Sequence, residues 1–208
     1  MFAPRTGVPL AAAALALVAG GAAVALRLLP ASGPLLAAFA IAVGLWAFLA
    51  AFFRDPERPV GEGVVSAADG RVREVRVAGD ELLVSVFMNV TDVHVNRLPW
   101  DGRFVDVGTG GAGHRAAYRP DADRNVARSY RLETELGPVR LVQITGAVAR
   151  RLVSFVRAGE ARRKGERFGM IVLGSRVDVY LPAARVEPLV RVGERVVAGR
   201  TPIARVRR

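Results

Sequence analysis

The chain has 208 residues, a formal net charge of +11 and no cysteine, so disulfides, thiolate metal sites and thiol catalysis are excluded. Its two histidines, His94 and His114, show no HExxH-like spacing, so we expect no metal site. A basic chain suits nucleic acid or an anionic membrane. The apolar N-terminal quarter favours the membrane, and we expect no nucleic-acid partner.

Two uncharged, mostly apolar windows open the chain, at residues 8–26 and 31–53, with Arg27 between them. Nineteen helical residues span roughly 28 Å, close to the ~30 Å hydrocarbon core of a bilayer. One continuous helix would place Arg27 near the bilayer centre, at a cost of about 2.5–3.5 kcal/mol. We therefore predict a membrane helical hairpin of residues 1–53 that turns at Pro30–Pro34.

The charges at the ends of this hairpin indicate its orientation. Arg5 precedes the first helix, and Arg54 and Arg58 follow the second. The positive-inside rule then places both ends, and the rest of the chain, on the cytoplasmic side of the cell membrane. Two alternatives stay open. The first window could be a signal peptide, which leaves the second unexplained, or the hairpin could lie in the membrane surface.

Residues 54–59 form a charged, proline-rich linker, and residues 60–208 read as short strands separated by glycine and proline signals. No long 3.6-residue periodicity appears there. We predict a mostly β, sandwich- or barrel-like domain. Its predicted strands are 71–77, 81–88, 103–107, 125–133, 139–145 and 148–155, the last being a strand or a short helix.

The most strand-like stretch is Gly165–Pro182. Met170–Leu173 is an apolar run, and period-two alternation follows from residue 176 to residue 181. Gly174 and Ser175 lie between these halves. Glycine inside a strand marks a bend, a bulge or a close backbone approach, so an ordinary kinked strand is one interpretation of this pair.

In its context, Leu173-Gly174-Ser175 closely resembles the processing site of short-form phosphatidylserine decarboxylases. This resemblance implies a pyruvoyl-dependent proenzyme in which the Ser175 hydroxyl attacks the Gly174 carbonyl. β-Elimination and hydrolysis then leave Ser175 as a covalent pyruvoyl cofactor, on an α chain 175–208 separated from a β chain 1–174. The residue types suit this chemistry, because glycine leaves its carbonyl open and serine supplies both the nucleophile and the leaving oxygen.

Two more blocks carry the resemblance. In residues 65–72, Asp69 matches an acidic residue implicated in self-processing, although most Asp-Gly pairs are only turns. In residues 87–99, His94 matches the family's Asp-x-His block and is implied to position the substrate carboxylate and to return a proton. A lone histidine in a strand is otherwise often structural. Longer family members have a second histidine where this chain has Arg97, which we predict to bind the substrate carboxylate or phosphate.

The implied activity is decarboxylation of phosphatidylserine to phosphatidylethanolamine, through a Schiff base between the pyruvoyl group and the serine amine. The predicted partners are this lipid, an anionic membrane and the two chains of one precursor. A different phosphoserine lipid, such as archaetidylserine, is the alternative substrate. A homo-oligomer is also possible.

A rival interpretation is a membrane-anchored carrier or adaptor domain, because residues 192–203 resemble the paired-glycine hairpins of biotinyl- and lipoyl-type sandwiches. Carriers of that kind modify a lysine in a hairpin turn. Lys164, the only lysine, lacks the flanking pattern and is equally unsuited to a pyridoxal cofactor. Residues 108–115, which include His114, are predicted to form a mobile loop. Neither a dinucleotide motif nor a GxSxG hydrolase motif is present, since Val177 stands where the last glycine would be.

Overall fold

The computed structural model of the protein describes residues 1–4, 6–25, 32–111, 125–146, 151–172 and 175–207. Two compact units divide the chain, Met1–Glu57 and Arg58–Arg208. The boundary between them falls inside the predicted linker.

The first unit contains two helices, α1 (Gly7–Ala25) and α2 (Gly33–Phe52). Each is long and apolar enough to cross a membrane, judged by length and composition alone. The indole Nε1 of Trp46 donates a 2.9 Å hydrogen bond to the carbonyl of Leu10, which joins the two helices. The predicted pair of apolar helices is therefore present.

The predicted turn between the helices needs one correction. Gly33 and Pro34 belong to the first turn of α2, whose N-cap is Ser32. Proline suits this position because its fixed φ matches the helix and its missing N–H would have no intrahelical partner there. Arg27 and Pro30 lie outside the described residues.

The second unit is mostly β, as predicted. Its strands are β1 (Val64–Val65), β2 (Gly70–Ala78), β3 (Glu81–Met88), β4 (Val95–Arg97), β5 (Gly102–Gly110), β6 (Ala127–Thr134), β7 (Gly137–Thr145), β8 (Arg151–Ser154), β9 (Ala161–Arg162), β10 (Arg167–Val172), β11 (Ser175–Pro182), β12 (Val186–Pro188), β13 (Arg195–Val196) and β14 (Pro202–Val206).

Three antiparallel sheets are formed by these strands. The largest has eight strands in the order β13-β2-β3-β11-β7-β6-β5-β9, so β11 lies in its interior. The other two have three strands each, β4-β10-β8 and β1-β14-β12. The core lies under the eight-stranded sheet, and alternating residues of β3 and β11 face it. These residues are Leu82, Val84, Val86, Met88, Val177, Val179 and Leu181.

The stretch Gly165–Pro182, predicted as strand with a glycine-serine pair in its middle, is divided between two sheets. Its first half is β10 of the β4-β10-β8 sheet, and its second half is β11 of the large sheet. The chain therefore changes sheet between Val172 and Ser175. Leu173 and Gly174 lie outside the described residues.

Two other predicted segments are settled in part. The stretch predicted as strand or short helix at residues 148–155 contains the strand β8, and residues 147–150 are outside the described part of the chain. The predicted glycine-rich loop is wrong at its start, because β5 continues through Gly110 and pairs there with Ala127. His114 lies outside the described residues.

Candidate active site

Ser175 is the first residue of β11 and is held from both sides. Its cross-strand partners are Met88 at the end of β3 and Thr145 at the end of β7. All three residues are completely buried. Because residues that face each other across a ladder project to the same side of a sheet, their side chains share the core face.

The hydroxyl of Ser175 is an exception to the rule that buried polar groups are paired. Its Oγ has no hydrogen-bond partner among the described residues. Burying such a group without a partner costs about 1–3 kcal/mol, and in native structures it calls for an explanation such as a catalytic role. The serine singled out from the sequence is thus a buried hydroxyl with no hydrogen-bond partner in the described part of the chain.

His94 lies beside the strand that leads to Ser175. Its backbone carbonyl accepts a 3.3 Å hydrogen bond from the N–H of Ile171, in β10. Its ring Nδ1 lies 2.9 Å from the backbone carbonyl of Asp92. A carbonyl only accepts, so Nδ1 donates this bond, and in the neutral form of the ring Nε2 is the basic nitrogen. A fully buried imidazole in this tautomer is suited to take a proton at Nε2.

A chain of buried polar side chains crosses the core next to these residues. The Tyr130 hydroxyl donates to Gln143 Oε1 at 2.9 Å, and Gln143 Nε2 donates to Asn96 Oδ1 at 2.7 Å. Asn96 Nδ2 in turn lies 3.5 Å from the sulfur of Met88, the cross-strand partner of Ser175. The chain therefore connects β6 and β7 of the large sheet to β4, the strand that follows His94.

The direction of this chain is set at its tyrosine end. Burial raises the pKa of Tyr130, and the nearby Ser154 and Arg128 side chains offset part of that effect. A guanidinium has only donors, so Arg128 cannot accept the hydroxyl proton of Tyr130, and that proton is donated to Gln143. Gln143 therefore accepts from Tyr130 through its oxygen and donates to Asn96 through its NH₂ group. Asn96 accepts through its oxygen and directs its NH₂ group towards the sulfur of Met88.

Asp69 is held by three donors. Its carboxylate accepts hydrogen bonds from both terminal nitrogens of Arg58, the longer at 2.8 Å, and a 2.8 Å bond from the backbone N–H of Ala198. Both side chains of this ion pair are mostly buried. Asp69 therefore carries a compensated negative charge inside the second unit.

The residue after Asp69 brings this segment close to Ser175. Gly70 has φ of +143°, and a Cβ at this position would lie 2.0 Å from the carbonyl oxygen of Phe87 and 3.2 Å from the Cα of Met88. Only glycine allows so close an approach. Since neighbouring strands lie about 4.8 Å apart, Gly70 is about two strand spacings, roughly 10 Å, from Ser175.

Arg97 ends β4 and is buried. Its Nη1 donates a 3.1 Å hydrogen bond to the carbonyl of Gly165, and its backbone N–H donates to the carbonyl of Ala67, two residues before Asp69. The structure thus brings Arg97 next to the segment that carries Asp69, while its cross-strand partner, Arg167, lies at the end of β10 that is far from Ser175.

Comparison with known proteins decides the family. The family model for phosphatidylserine decarboxylase matches residues 45–204, most of the chain. The chain belongs to the phosphatidylserine decarboxylase family. It is 44% identical over 171 residues to a phosphatidylserine decarboxylase proenzyme of Streptomyces coelicolor, covering 81% of this chain and 76% of that protein.

Two further members of the phosphatidylserine decarboxylase family show its range. A phosphatidylserine decarboxylase proenzyme of Xanthobacter autotrophicus is 46% identical over 184 residues, which cover 77% of this chain and 75% of that protein. A protein of Methanosarcina barkeri, named provisionally as an archaetidylserine decarboxylase proenzyme, is 40% identical over 171 residues, 81% of this chain and 82% of its own length. The predicted family, and with it a carboxy-lyase rather than a carrier domain, is confirmed.

The amine of Lys164, the only lysine in the chain, contacts the surface of the second unit. Its Nζ donates to the carbonyl of Gly63 at 3.1 Å and lies 5.2 Å from the ring centroid of Trp100. These contacts hold the amine against the domain surface.

Sequence reasoning missed two sets of residues in this family member. One is the amide chain described above. The other is a buried ion pair directly after Ser175, in which Arg176 Nη2 lies 2.9 Å from Asp178 Oδ2 while Ser85 donates to Asp178 Oδ1 at 2.6 Å. Period-two alternation is typical of one solvated face, so it gave no signal that these charges are buried.

Proposed function

We propose that this member of the phosphatidylserine decarboxylase family is a proenzyme that cuts itself between Gly174 and Ser175. The products are a β chain of residues 1–174 and an α chain of residues 175–208, which begins with a pyruvoyl group made from Ser175. The cleaved protein then decarboxylates phosphatidylserine to phosphatidylethanolamine. The observation that carries the proposal is the buried Ser175 hydroxyl, which has no partner among the described residues and lies where the chain changes sheet.

Self-cleavage assigns roles to groups of this chain alone. The Ser175 Oγ forms a bond to the Gly174 carbonyl carbon, and its proton passes to a base. Collapse of the resulting oxyanion breaks the peptide C–N bond, and the nitrogen takes up a proton, which leaves an ester. A base then removes the Ser175 Cα proton as the Cβ–Oγ bond breaks, which frees the β chain carboxylate. Water hydrolyses the imine that results from the remaining enamine, and loss of ammonia completes the new α chain end. His94 is the base that we propose, because its Nε2 is the basic nitrogen of the ring.

The pyruvoyl group, once formed, supplies an electron sink for decarboxylation without pyridoxal. The site fits such a group, since its precursor is a serine whose hydroxyl is bound to no other described residue. In the lipid reaction we propose that His94 orients the leaving carboxylate and that its Nε2 delivers the proton that replaces it. Arg97 donates through Nη1 to the Gly165 carbonyl, and we propose, from its place in the family's motif, that its guanidinium binds the substrate carboxylate or phosphate.

Asp69 has a supporting role in this proposal. Its negative charge is balanced by Arg58. The next residue, Gly70, packs against β3, the strand that pairs with Ser175. We propose that the negative charge of Asp69 sets the electrostatic potential in which the Ser175 proton is lost.

The first unit provides the membrane attachment. Two helices long and apolar enough to cross a membrane precede the catalytic unit, and the substrate named for the bacterial relatives is a membrane lipid. We propose that residues 1–53 form a hairpin in the cell membrane, that residues 54–59 are a linker, and that residues 60–208 form the decarboxylase domain on the cytoplasmic side. The positive charge of the chain suits an anionic bilayer.

Intact mass spectrometry of purified protein tests the proposal. We expect two chains whose masses correspond to residues 1–174 and 175–208, the latter lacking a free amino terminus, and release of CO₂ from phosphatidylserine vesicles. Ser175→Ala is the matched control and should remain one inactive chain, because it has neither nucleophile nor leaving group. Active wild-type protein found as a single chain would overturn the pyruvoyl mechanism.

A further inference from the structure

Two arginines face each other directly across a strand pair. Arg71 of β2 and Arg195 of β13 are cross-strand partners in the large sheet. Side chains in such a pair start from Cβ atoms about 4.5–5.5 Å apart, and like charges there destabilise a sheet. An anion bound between the two guanidinium groups would remove this repulsion.

The same two arginines line a small cavity of about 240 Å³, together with Gly70, Phe87, Asn89 and Asp92. Among the described residues, each guanidinium has a single hydrogen bond: Arg71 Nη1 donates to the Gly193 carbonyl at 3.0 Å, and Arg195 Nη2 donates to Asp92 Oδ1 at 2.9 Å. Since a guanidinium has five N–H donors, both keep donors for a ligand.

The one carboxylate in this cavity is already engaged. Asp92 Oδ2 accepts a 2.8 Å hydrogen bond from the backbone N–H of Asn89, while Oδ1 binds Arg195. Two arginines and one aspartate leave the cavity with a net positive charge. Its walls therefore suit a singly charged anion of modest size, such as a phosphodiester.

Two lining residues of the cavity lead to the residues of the proposed reaction. The backbone carbonyl of Asp92 holds His94 Nδ1 at 2.9 Å. Gly70 approaches Met88, the cross-strand partner of Ser175. A serine phospholipid carries its phosphodiester one serine unit away from the reacting carbon, so an anion site in this position has the right neighbours.

We propose that Arg71 and Arg195 form the subsite for the phosphodiester of the lipid head group, an inference that rests on the proposed function. The exposed Val90 follows the lining residue Asn89 in the chain. An exposed apolar side chain next to a lining residue suits a head group whose acyl chains stay in the bilayer.

The test uses full-length protein in a nonionic detergent and measures binding of glycerophospho-L-serine by calorimetry. Arg71→Gln and Arg195→Gln should each raise the Kd about tenfold, as expected when one charge-assisted contact is lost, and should raise KM for phosphatidylserine. Arg71→Lys should be intermediate, since it keeps the charge but loses the planar fork. Arg76→Gln is the matched control, because Arg76 is an exposed arginine of the same strand, paired with Glu74 at 2.8 Å.

Three results would overturn the subsite. They are a Kd that the Arg71 and Arg195 variants leave unchanged, an equal rise in Arg76→Gln, and binding of inorganic phosphate that the diester does not displace, which would mark a general anion site. Chain cleavage on a gel separates the two proposals. Variants that are cleaved and keep the wild-type KM would refute the subsite alone, whereas an uncleaved, inactive wild-type chain that still binds the diester through Arg71 would refute only the proposed function.

Discussion

The side-chain amide of Gln143 donates a 2.7 Å hydrogen bond to Asn96 Oδ1 and so ties β7 to β4 through the core. β7 is a direct neighbour of β11, whose first residue is Ser175, and β4 begins directly after His94. The Gln143 side chain fits between the two strands because residue 169 is glycine. A Cβ at this position would lie 2.7 Å from Gln143 Nε2. The bond therefore fixes the strand of the proposed base relative to the strand of the nucleophile.

Replacing Gln143 by leucine should slow self-cleavage and lower the melting temperature. The change leaves the Asn96 amide and the Tyr130 hydroxyl buried without their partner, at about 1–3 kcal/mol for each group. Cleavage followed on a gel and a thermal melt are the measurements. The double variant Asn96→Leu/Gln143→Leu serves as the control, since removing both amides should cost less than the sum of the single changes. If the stability losses of the two single variants add up to that of the double variant, the hydrogen bond between Asn96 and Gln143 contributes no coupling energy.

The hydrogen bond between these two side-chain amides could not be predicted from the sequence. Gln143 and Asn96 are 47 positions apart, and each is a single polar residue in an apolar strand. Nothing in the local pattern distinguishes a buried amide from one on a solvated face. The pairing depends on which strands the fold brings together, and one sequence does not contain that information.

Long strands were predicted from the sequence, and the shortest strands were not. Period-two alternation over seven residues predicted β2 to within a residue at each end, and the stretch 81–88 was predicted as a strand at the observed bounds of β3. Strands of two or three residues, such as β4 and β13, are too short to show a period. The family was predicted from three short blocks, because Ser175, His94 and Asp69 stand in motifs whose order along the chain is specific. Their individual roles stay predictions.

His94→Gln should slow self-cleavage, because His94 is the proposed base, and should reduce phosphatidylserine turnover per cleaved chain by about 10²–10⁴-fold, the usual contribution of a positioned proton-transfer group. Glutamine keeps a donor for the Asp92 carbonyl, so the loss reports the missing imidazole rather than a collapsed strand. Turnover is measured as CO₂ release, normalised to the amount of α chain. His114→Gln, which replaces the other histidine, is the comparison. Turnover of the His94 variant within a few-fold of the parent would make His94 structural.

Asp69→Asn should leave most of the chain uncleaved, because the substitution keeps the shape of the side chain but removes its charge. Arg58→Gln should retain cleavage, because Asp69 itself is kept, and should lower thermal stability, because the buried carboxylate loses its counter-ion. The two variants are compared on the same gel and in the same thermal melt. Normal cleavage of Asp69→Asn would assign Asp69 to the fold and not to processing.

The division of the chain at Glu57 leads to the last prediction. A protein that begins at Arg58 should fold, cleave itself and stay soluble without detergent, because the second unit contains the three sheets and the residues of the proposed site. Deleting two more residues, so that the chain begins at Val60, should lower its melting temperature. This longer deletion removes Arg58 and leaves the mostly buried Asp69 carboxylate without its ion-pair partner. Gel filtration, circular dichroism melts and cleavage on a gel compare the two chains. If the chain that begins at Arg58 aggregates in detergent-free buffer, the second unit does not fold independently, and if both chains melt at the same temperature, the Arg58–Asp69 pair contributes nothing to its stability.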